Sequence, residues 1–354
     1  MGAKTIAVTG CAGYVGTRLV ERLCADPAVE RVVGLDVVQP SISHPKLVFD
    51  SVDVRSDALG ARLTGVDVVV HLAFIMDPIK DDTRMRDVNV NGSQNVFRAA
   101  GQAGVRKIVY TSSGTVYGAH PDNEVPLTES SPLRANLDFS YAAHKLEVEY
   151  VLREFAEEFP AVALAVFRPC LVFGPRIDNA WSRLLEMPVL VGVRGHRPPF
   201  QFVHEDDVAD ALAFAACGDL EGTYNLGPSD WTTADEVIEM LGRRVVDLPE
   251  PAAFALAERM WGAGLSDAPA GILHYVMYPW VVSSDRLRDA GFTVSRSSRE
   301  AFEEALPQIR AHVRIGRSRV RKGDLLKGAA AGAGLLGAAL SLRAVRRRRS
   351  LARV

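Results

Sequence analysis

Short runs of aliphatic and β-branched residues recur along the chain: IAVT (6–9), RVVGLD (31–36), VDVVVHLA (66–73), RKIVYTS (106–112), AVALAVFRP (161–169) and TYNLG (223–227). Most are apolar throughout and do not alternate, the pattern of strands buried on both faces of a parallel sheet. Between them the period changes. YVGTRLVERLCA (14–25) and VNGSQNVFRAAGQAG (90–104) carry apolar residues three and four apart, as helices with one face on a sheet do. The alternation predicts an α/β fold, a Rossmann-type doubly wound parallel sheet with its ligand at the carboxyl ends of the strands. From about residue 174 the pattern loosens into Pro-, Arg- and aromatic-rich segments. A smaller C-terminal substrate lobe over 174–313 is expected there, with residues 1–173 and a returning strand around 200–227 forming the main domain.

Composition adds limits. With 354 residues, 48% hydrophobic and 24% charged, the chain can bury a full core and is not disordered. Cys11, Cys24, Cys170 and Cys217 are scattered with no C-x-x-C pair, so neither a disulfide framework nor a zinc site is expected. A cytoplasmic setting fits, because KTIAVT near the N-terminus lacks the apolar core of a secretory signal. The formal net charge of −2 hides a basic tail: residues 314–354 hold twelve Lys or Arg and a single acid, Asp324. The acidic remainder argues against nucleic-acid binding. In the tail, fifteen uncharged residues lie between Lys327 and Arg343, before Arg346–Arg349. As a helix they span about 22 Å against a hydrocarbon core of about 30 Å. Two readings stay open, a solvated tail and a shallow or peripheral membrane attachment over 325–345.

Candidate chemistry begins at TIAVTGCAGYVGT (5–17), where Gly10, Gly13 and Gly16 follow a predicted strand and open a helix. Backbone N–H groups and a helix N-terminus then face an anion. A P-loop needs Lys and Ser or Thr after its last glycine, but Gly16 is followed by Thr17 and Arg18. A dinucleotide fits better: Asp36 ends the second strand, twenty residues past Gly16, where a carboxylate binds a ribose 2′-OH.

The spacing Gly-x-x-Gly-x-x-Gly resembles the extended short-chain dehydrogenases/reductases of NAD-dependent epimerase/dehydratase type, over roughly residues 4–310. Two further stretches carry the resemblance, VYTSSGTVYG (109–118) and the Y-x-x-x-K pair of SYAAHK (140–145). It implies NAD as cofactor and Ser113, Tyr141 and Lys145 as catalytic residues. Hydride leaves a secondary carbinol only if the hydroxyl proton leaves too, so a base is needed beside it. A free phenol, with pKa near 10, is a poor one at pH 7. The Lys145 ammonium and a positive nicotinamide are expected to favour the phenolate, and closing that gap of about three pH units takes about 4 kcal/mol. Ser113 would hydrogen-bond the substrate oxygen.

The same resemblance implies cofactor contacts at Tyr14 and Val15 of the glycine loop, Asp53 and Val54 after the third strand (adenine), Leu72 and Ala73 beside His71, and Pro169 near the nicotinamide. It also implies that Asn89 supports the active-site backbone. His204 with Glu205, Asp206 and Asp207 reads as a helix start, and no metal is expected. On the substrate side stand Thr115, and Arg176, Arg183, Arg194 and Arg197 where relatives grip a diphosphate. One departure stands out: in RPCLVFGP, Leu171 occupies the place of an asparagine usual in nucleotide-sugar enzymes. The apolar segments 252–265 and 272–280 read either as lobe core or as a lid for a lipophilic substrate. Three functions follow: nucleotide-sugar epimerisation or a related conversion, a 3β-hydroxysteroid-type dehydrogenase, and a non-catalytic NAD-sensing module, which the intact Ser113, Tyr141 and Lys145 argue against. Helices around 89–103 and 141–157 suit the homodimer contact common in relatives.

Overall fold

The structure, a computed structural model, describes residues 3–315 and 318–321. The first half runs β1 (Lys4–Thr9), α1 (Tyr14–Ala25), β2 (Val29–Asp36), β3 (Leu47–Ser51), α2 (Leu59–Arg62), β4 (Val68–His71), α3 (Asp82–Arg86), α4 (Gly92–Gln102), β5 (Lys107–Thr111), α5 (Ser140–Glu158) and β6 (Ala163–Pro169). It continues with β7 (Leu171–Phe173), α6 (Ala180–Leu185), β8 (Val189–Val193), β9 (Phe202–His204), α7 (Glu205–Cys217), β10 (Gly222–Leu226), α8 (Ala234–Leu241), β11 (Arg244–Leu248) and α9 (Glu250–Gly262). Then come α10 (His274–Met277), α11 (Asp285–Asp289), α12 (Ser298–Ala311) and the strands β12 (His312–Ile315) and β13 (Ser318–Arg321).

Seven strands pair in the order β3-β2-β1-β4-β5-β6-β10, every pair parallel. Successive residues of one strand feed opposite layers. Ile6, Val8, Val68 and Val70 pack with Leu19, Leu23 and Val208 of α1 and α7, whereas Ala7, Val69 and Ile108 pack with Val96, Phe97 and Leu152 of α4 and α5. Both faces are dry, which explains runs without alternation. Each fully buried Val, Ile or Leu contributes roughly 1.5–3 kcal/mol. The edge strand β3 differs, with Val48 52% exposed, and its sequence LVFDS carries a correspondingly weaker strand pattern.

The strand order reverses at β1, which pairs with β2 on one side and β4 on the other. The chain leaving β1 therefore lies at the crevice where open α/β sheets bind ligands. The return expected around 200–227 takes the form of α7, packed on α1, and β10 beside β6; β9 pairs instead with β7, outside the main sheet. The lobe is built on the parallel pair β8 and β11, with α6, α9 and α10 against it. Helices α4 and α5, the expected homodimer face, lie side by side. Among the described residues no helix is long and apolar enough to cross a membrane. The tail segment 325–345 read above as solvated or membrane-attached lies outside the described residues.

Candidate active site

The glycine loop is shaped for a close ligand. Gly10 has φ +72°, a left-handed conformation that favours glycine, and a Cβ there would stand 2.7 Å from the Ala73 backbone nitrogen. A Cβ on Gly16 would overlap the Gly10 carbonyl oxygen, and one on Gly13 would come within 3.1 Å of the same atom. Gly13 caps α1, which carries no acid in its first turn, so the helix N-terminus is left for an anion. Tyr14 and Val15 begin that helix, and Leu72 and Ala73 close on Gly10 from the end of β4. The Asp36 carboxylate accepts hydrogen bonds from the Ala12 N–H at 3.0 Å and the Val38 N–H at 3.1 Å. It thereby ties the loop to the end of β2. This cradle has the shape and the free backbone N–H groups to fit a dinucleotide pyrophosphate.

Farther out, Asp53 is held by Arg55, whose Nη2 lies 2.6 Å away and whose side-chain hydrogen bonds keep the Asp53 carboxyl below its usual range. Arg55 also pairs with Asp87 at 2.8 Å. Val54 is buried against Gly92, and its carbonyl accepts from Asn95 at 2.8 Å.

Across the crevice, β5 ends at Thr111 and the chain turns through Ser113, whose Oγ accepts from the Thr115 N–H at 3.2 Å and the Thr115 hydroxyl at 3.0 Å. Tyr141 and Lys145 stand one turn apart on α5, so they share a face. Ser113, Thr115, Tyr141 and Pro169 line one cavity, roofed by Trp181 and Trp280. Lys145 Nζ donates to the Thr111 carbonyl at 2.7 Å and sits 3.7 Å from the centre of the Phe74 ring. Its distance to the centre of the Tyr141 ring is 5.9 Å. Burial pushes the Tyr141 phenol up to about 12, with Ser113 offsetting part of the rise. Burial also pushes Lys145 down to about 7, against the pull of Glu149. Desolvation is the largest influence on both groups, so the chain's own groups favour a protonated Tyr141, and the expected phenolate calls on the nicotinamide charge as well.

Beneath the cavity runs a buried polar network. Glu149, one turn beyond Lys145, accepts from Arg168 Nη2 at 2.5 Å and from the Ser112 hydroxyl at 2.5 Å. Arg168 reaches the Tyr117 hydroxyl at 2.8 Å, which donates to Asn225 at 2.7 Å. These bonds fix the turn that carries Ser113. Asn89 clamps the facing loop through both backbone groups of Ile75, at 2.7 Å and 3.1 Å, the supporting role expected of it. His71 is buried between Thr9 and Ser93 at 2.7 Å and 2.9 Å, and desolvation lowers it to about 3.

The model of the NAD dependent epimerase/dehydratase family matches residues 6–227. The chain belongs to that family. An uncharacterised protein of Mycobacterium tuberculosis (strain ATCC 25618 / H37Rv) is 28% identical over 311 residues, 85% of this chain and 83% of its own length. The N-acetyl-α-D-glucosaminyl-diphospho-ditrans,octacis-undecaprenol 4-epimerase of Escherichia coli O157:H7 is 35% identical over 174 residues, 48% of this chain and 50% of that protein. Two solved structures share the fold at 24% identity and cover 86% of this chain. They are the dTDP-glucose 4,6-dehydratase DesIV of Streptomyces venezuelae with NAD (TM-score 0.68, 97% of that chain) and the UDP-glucose 4-epimerase of Thermus thermophilus with NAD (0.67, 99%). NAD is the dinucleotide of this family's cradle.

The residues expected on the substrate side are dispersed. Thr115 lines the cavity that Ser113 and Tyr141 line, but Arg176 and Arg197 do not. Arg176 pairs with the buried Glu205 at 3.3 Å, and Arg197 pairs with Asp247 at 2.6 Å, out on the β8–β11 pair. Arg183 is engaged by Asp77, by Asp178 at 2.7 Å and by Asp267 at 3.1 Å, while Arg194 is exposed. Leu171 is buried and faces the catalytic cavity. His204 caps α7, its Nδ1 accepting from the Asp206 N–H at 3.1 Å. Sequence reasoning missed Phe74, Asp77, Trp181, Trp280 and Glu149. Only Glu149 had a local signal, its spacing of four from Lys145; the others come from distant segments.

Proposed function

We propose that the chain is an NAD-dependent oxidoreductase that removes hydride from a secondary CH–OH carbon or returns it to the corresponding ketone. The observation that carries this is that Ser113 and Tyr141 line one cavity while Lys145 stands one helical turn from Tyr141, its Nζ 5.9 Å from the centre of the phenol ring. NAD, when bound, accepts and returns the hydride. Ser113 Oγ hydrogen-bonds the substrate oxygen and sets its distance from the Tyr141 hydroxyl, which takes or gives the proton. Lys145, anchored on the Thr111 carbonyl, holds a positive charge near the phenol. A phenol kept protonated by burial suits the direction that gives a proton to an alkoxide; the reverse direction needs Tyr141 brought down as the site fills.

Two substrate readings follow from different supports. The names of the relatives point to a sugar joined to a diphosphate, with epimerisation as the overall reaction. The buried Leu171 and the occupied arginines favour instead a lipophilic alcohol, in the manner of a 3β-hydroxysteroid dehydrogenase. Either way Tyr141→Phe tests the proton step. Turnover should fall by a factor of about 10² or more, with NAD affinity by calorimetry little changed. A variant that kept most of its activity would remove Tyr141 from this role and bring back the NAD-sensing reading.

A further inference from the structure

The lobe contains an apolar cavity of about 200 Å³ that the proton chemistry does not use. Its wall includes Leu171, Trp181, Leu184, Phe200, Leu256 and Met260. Leu171 and Trp181 also line the cavity that holds Ser113 and Tyr141, so the two spaces are neighbours with these side chains standing between them. The cation in its lining, Arg183, is paired with three carboxylates, of Asp77, Asp178 and Asp267. Nothing there is left to hold a diphosphate. The outer wall is α9, of which only Ala253 is buried and where Leu256 is 37% exposed at the rim.

We propose that the substrate is a secondary alcohol or ketone whose reacting carbon carries an uncharged, extended apolar arm, and that this arm passes Leu171 and Trp181 into the lobe cavity. The proposal rests on the oxidoreductase reading above and names its substrate class. A buried apolar cavity of about 150 Å³ takes a benzene ring, so the space here suits roughly eight to ten carbons. A prenyl or alkyl arm of that length fits within it, whereas the larger fused rings of a steroid would have to reach past it to the rim at Leu256. A nucleotide does not fit, because its phosphates and hydroxyls would be left unpaired against Leu171 and the arginines already engaged.

The test uses full-length protein with NAD, reading dissociation constants by calorimetry for 2-butanol, 2-octanol, 2-decanol, a 3β-hydroxysteroid and UDP-glucose. The dissociation constant should fall at least tenfold from 2-butanol to 2-decanol. That gap should shrink in Ala257→Trp, which fills the cavity, with NAD affinity retained as the check on folding. Should that variant fail to bind NAD, the chain-length series on the unmodified protein decides. A steroid bound more tightly than 2-decanol assigns the arm to fused rings, and the reverse order to a chain; both support the proposal. Affinity independent of chain length, or micromolar UDP-glucose binding, overturns it. Its failure is separable from that of the redox reading: Tyr141→Phe should lose turnover but keep the length dependence of binding, whereas length-dependent binding without turnover in the unmodified protein would sink the redox reading alone.

Discussion

The glycine loop offers a graded test, because the structure separates three glycines by what a single methyl group would meet. At Gly16 an added Cβ overlaps the Gly10 carbonyl oxygen and lies 3.0 Å from Cys11 Cα and from Gly10 C. These are rigid backbone atoms, and carbon contacts are optimal near 3.5–4.0 Å, so the loop or α1 must move by about 1 Å. Overpacking of this kind costs about 1–3 kcal/mol, or about 5- to 150-fold in an equilibrium constant. The strain falls where backbone N–H groups face the pyrophosphate, so it should appear in NAD affinity as well as in stability. At Gly13 the same methyl meets only the Gly10 oxygen at 3.1 Å, in an ordinary backbone conformation, and should cost a few tenths of a kcal/mol to about 1. At Gly60, inside the short helix α2, nothing lies within 4 Å, and Gly60→Ala should stabilise by about 0.4–1 kcal/mol through the unfolded chain without touching NAD. Calorimetric titration with NAD and thermal denaturation of the three alanine variants would rank them. If Gly16→Ala bound NAD as tightly as Gly13→Ala, this loop would not be the pyrophosphate cradle.

Two further outcomes are expected. Asp36 should bind the ribose 2′-OH and repel a 2′-phosphate, so NAD should be held at least tenfold more tightly than NADP, with Asp36→Ala narrowing the ratio; equal affinities for the unmodified protein would contradict this. His71 is neutral in the fold, lowered to about 3 by burial, while the unfolded chain takes up its proton below about 6.5, so stability should be unaffected above that pH and fall below it by up to about 1.4 kcal/mol per pH unit. Denaturant titrations between pH 7 and pH 4 should show a shallower slope in His71→Asn, and an unchanged slope would refute the buried neutral imidazole.

How much of this was legible in the sequence depended on how far apart the interacting residues lie. The glycine spacing, the strand that precedes it and Asp36 belong to one βαβ unit, and Tyr141 with Lys145 to one helix turn, so local periodicity was enough to find them. The arginines show the opposite case. Arg176 and Arg197 sit where the resemblance implied a grip on a diphosphate, yet they pair with Glu205 and Asp247, which other elements deliver. Composition likewise could not divide the two apolar stretches of the lobe. Tyr275 and Met277 are core, Ile272 and Leu273 are buried yet line the lobe cavity, Trp280 lines the cavity with Tyr141, and 252–265 lies mostly on α9, half-covered, as one wall of the lobe cavity.

The phenol of Tyr141 shows what spacing alone leaves open about a charge pair. A lysine four residues on guarantees a shared helix face, not a phenolate, because Nζ is free to choose among partners on that face. Here it takes the Thr111 carbonyl and the Phe74 ring, both supplied by strand and loop ends that the spacing does not contain. Once Lys145 is itself buried its charge is weakened by the same desolvation that raises the phenol, so two groups expected to stabilise each other's ionised forms are both pushed toward neutrality. Burial is a property of the closed fold, with Phe74 and Phe139 packed around the tyrosine ring. The shared face of the pair was therefore readable from spacing, while the burial that governs its protonation required the packing.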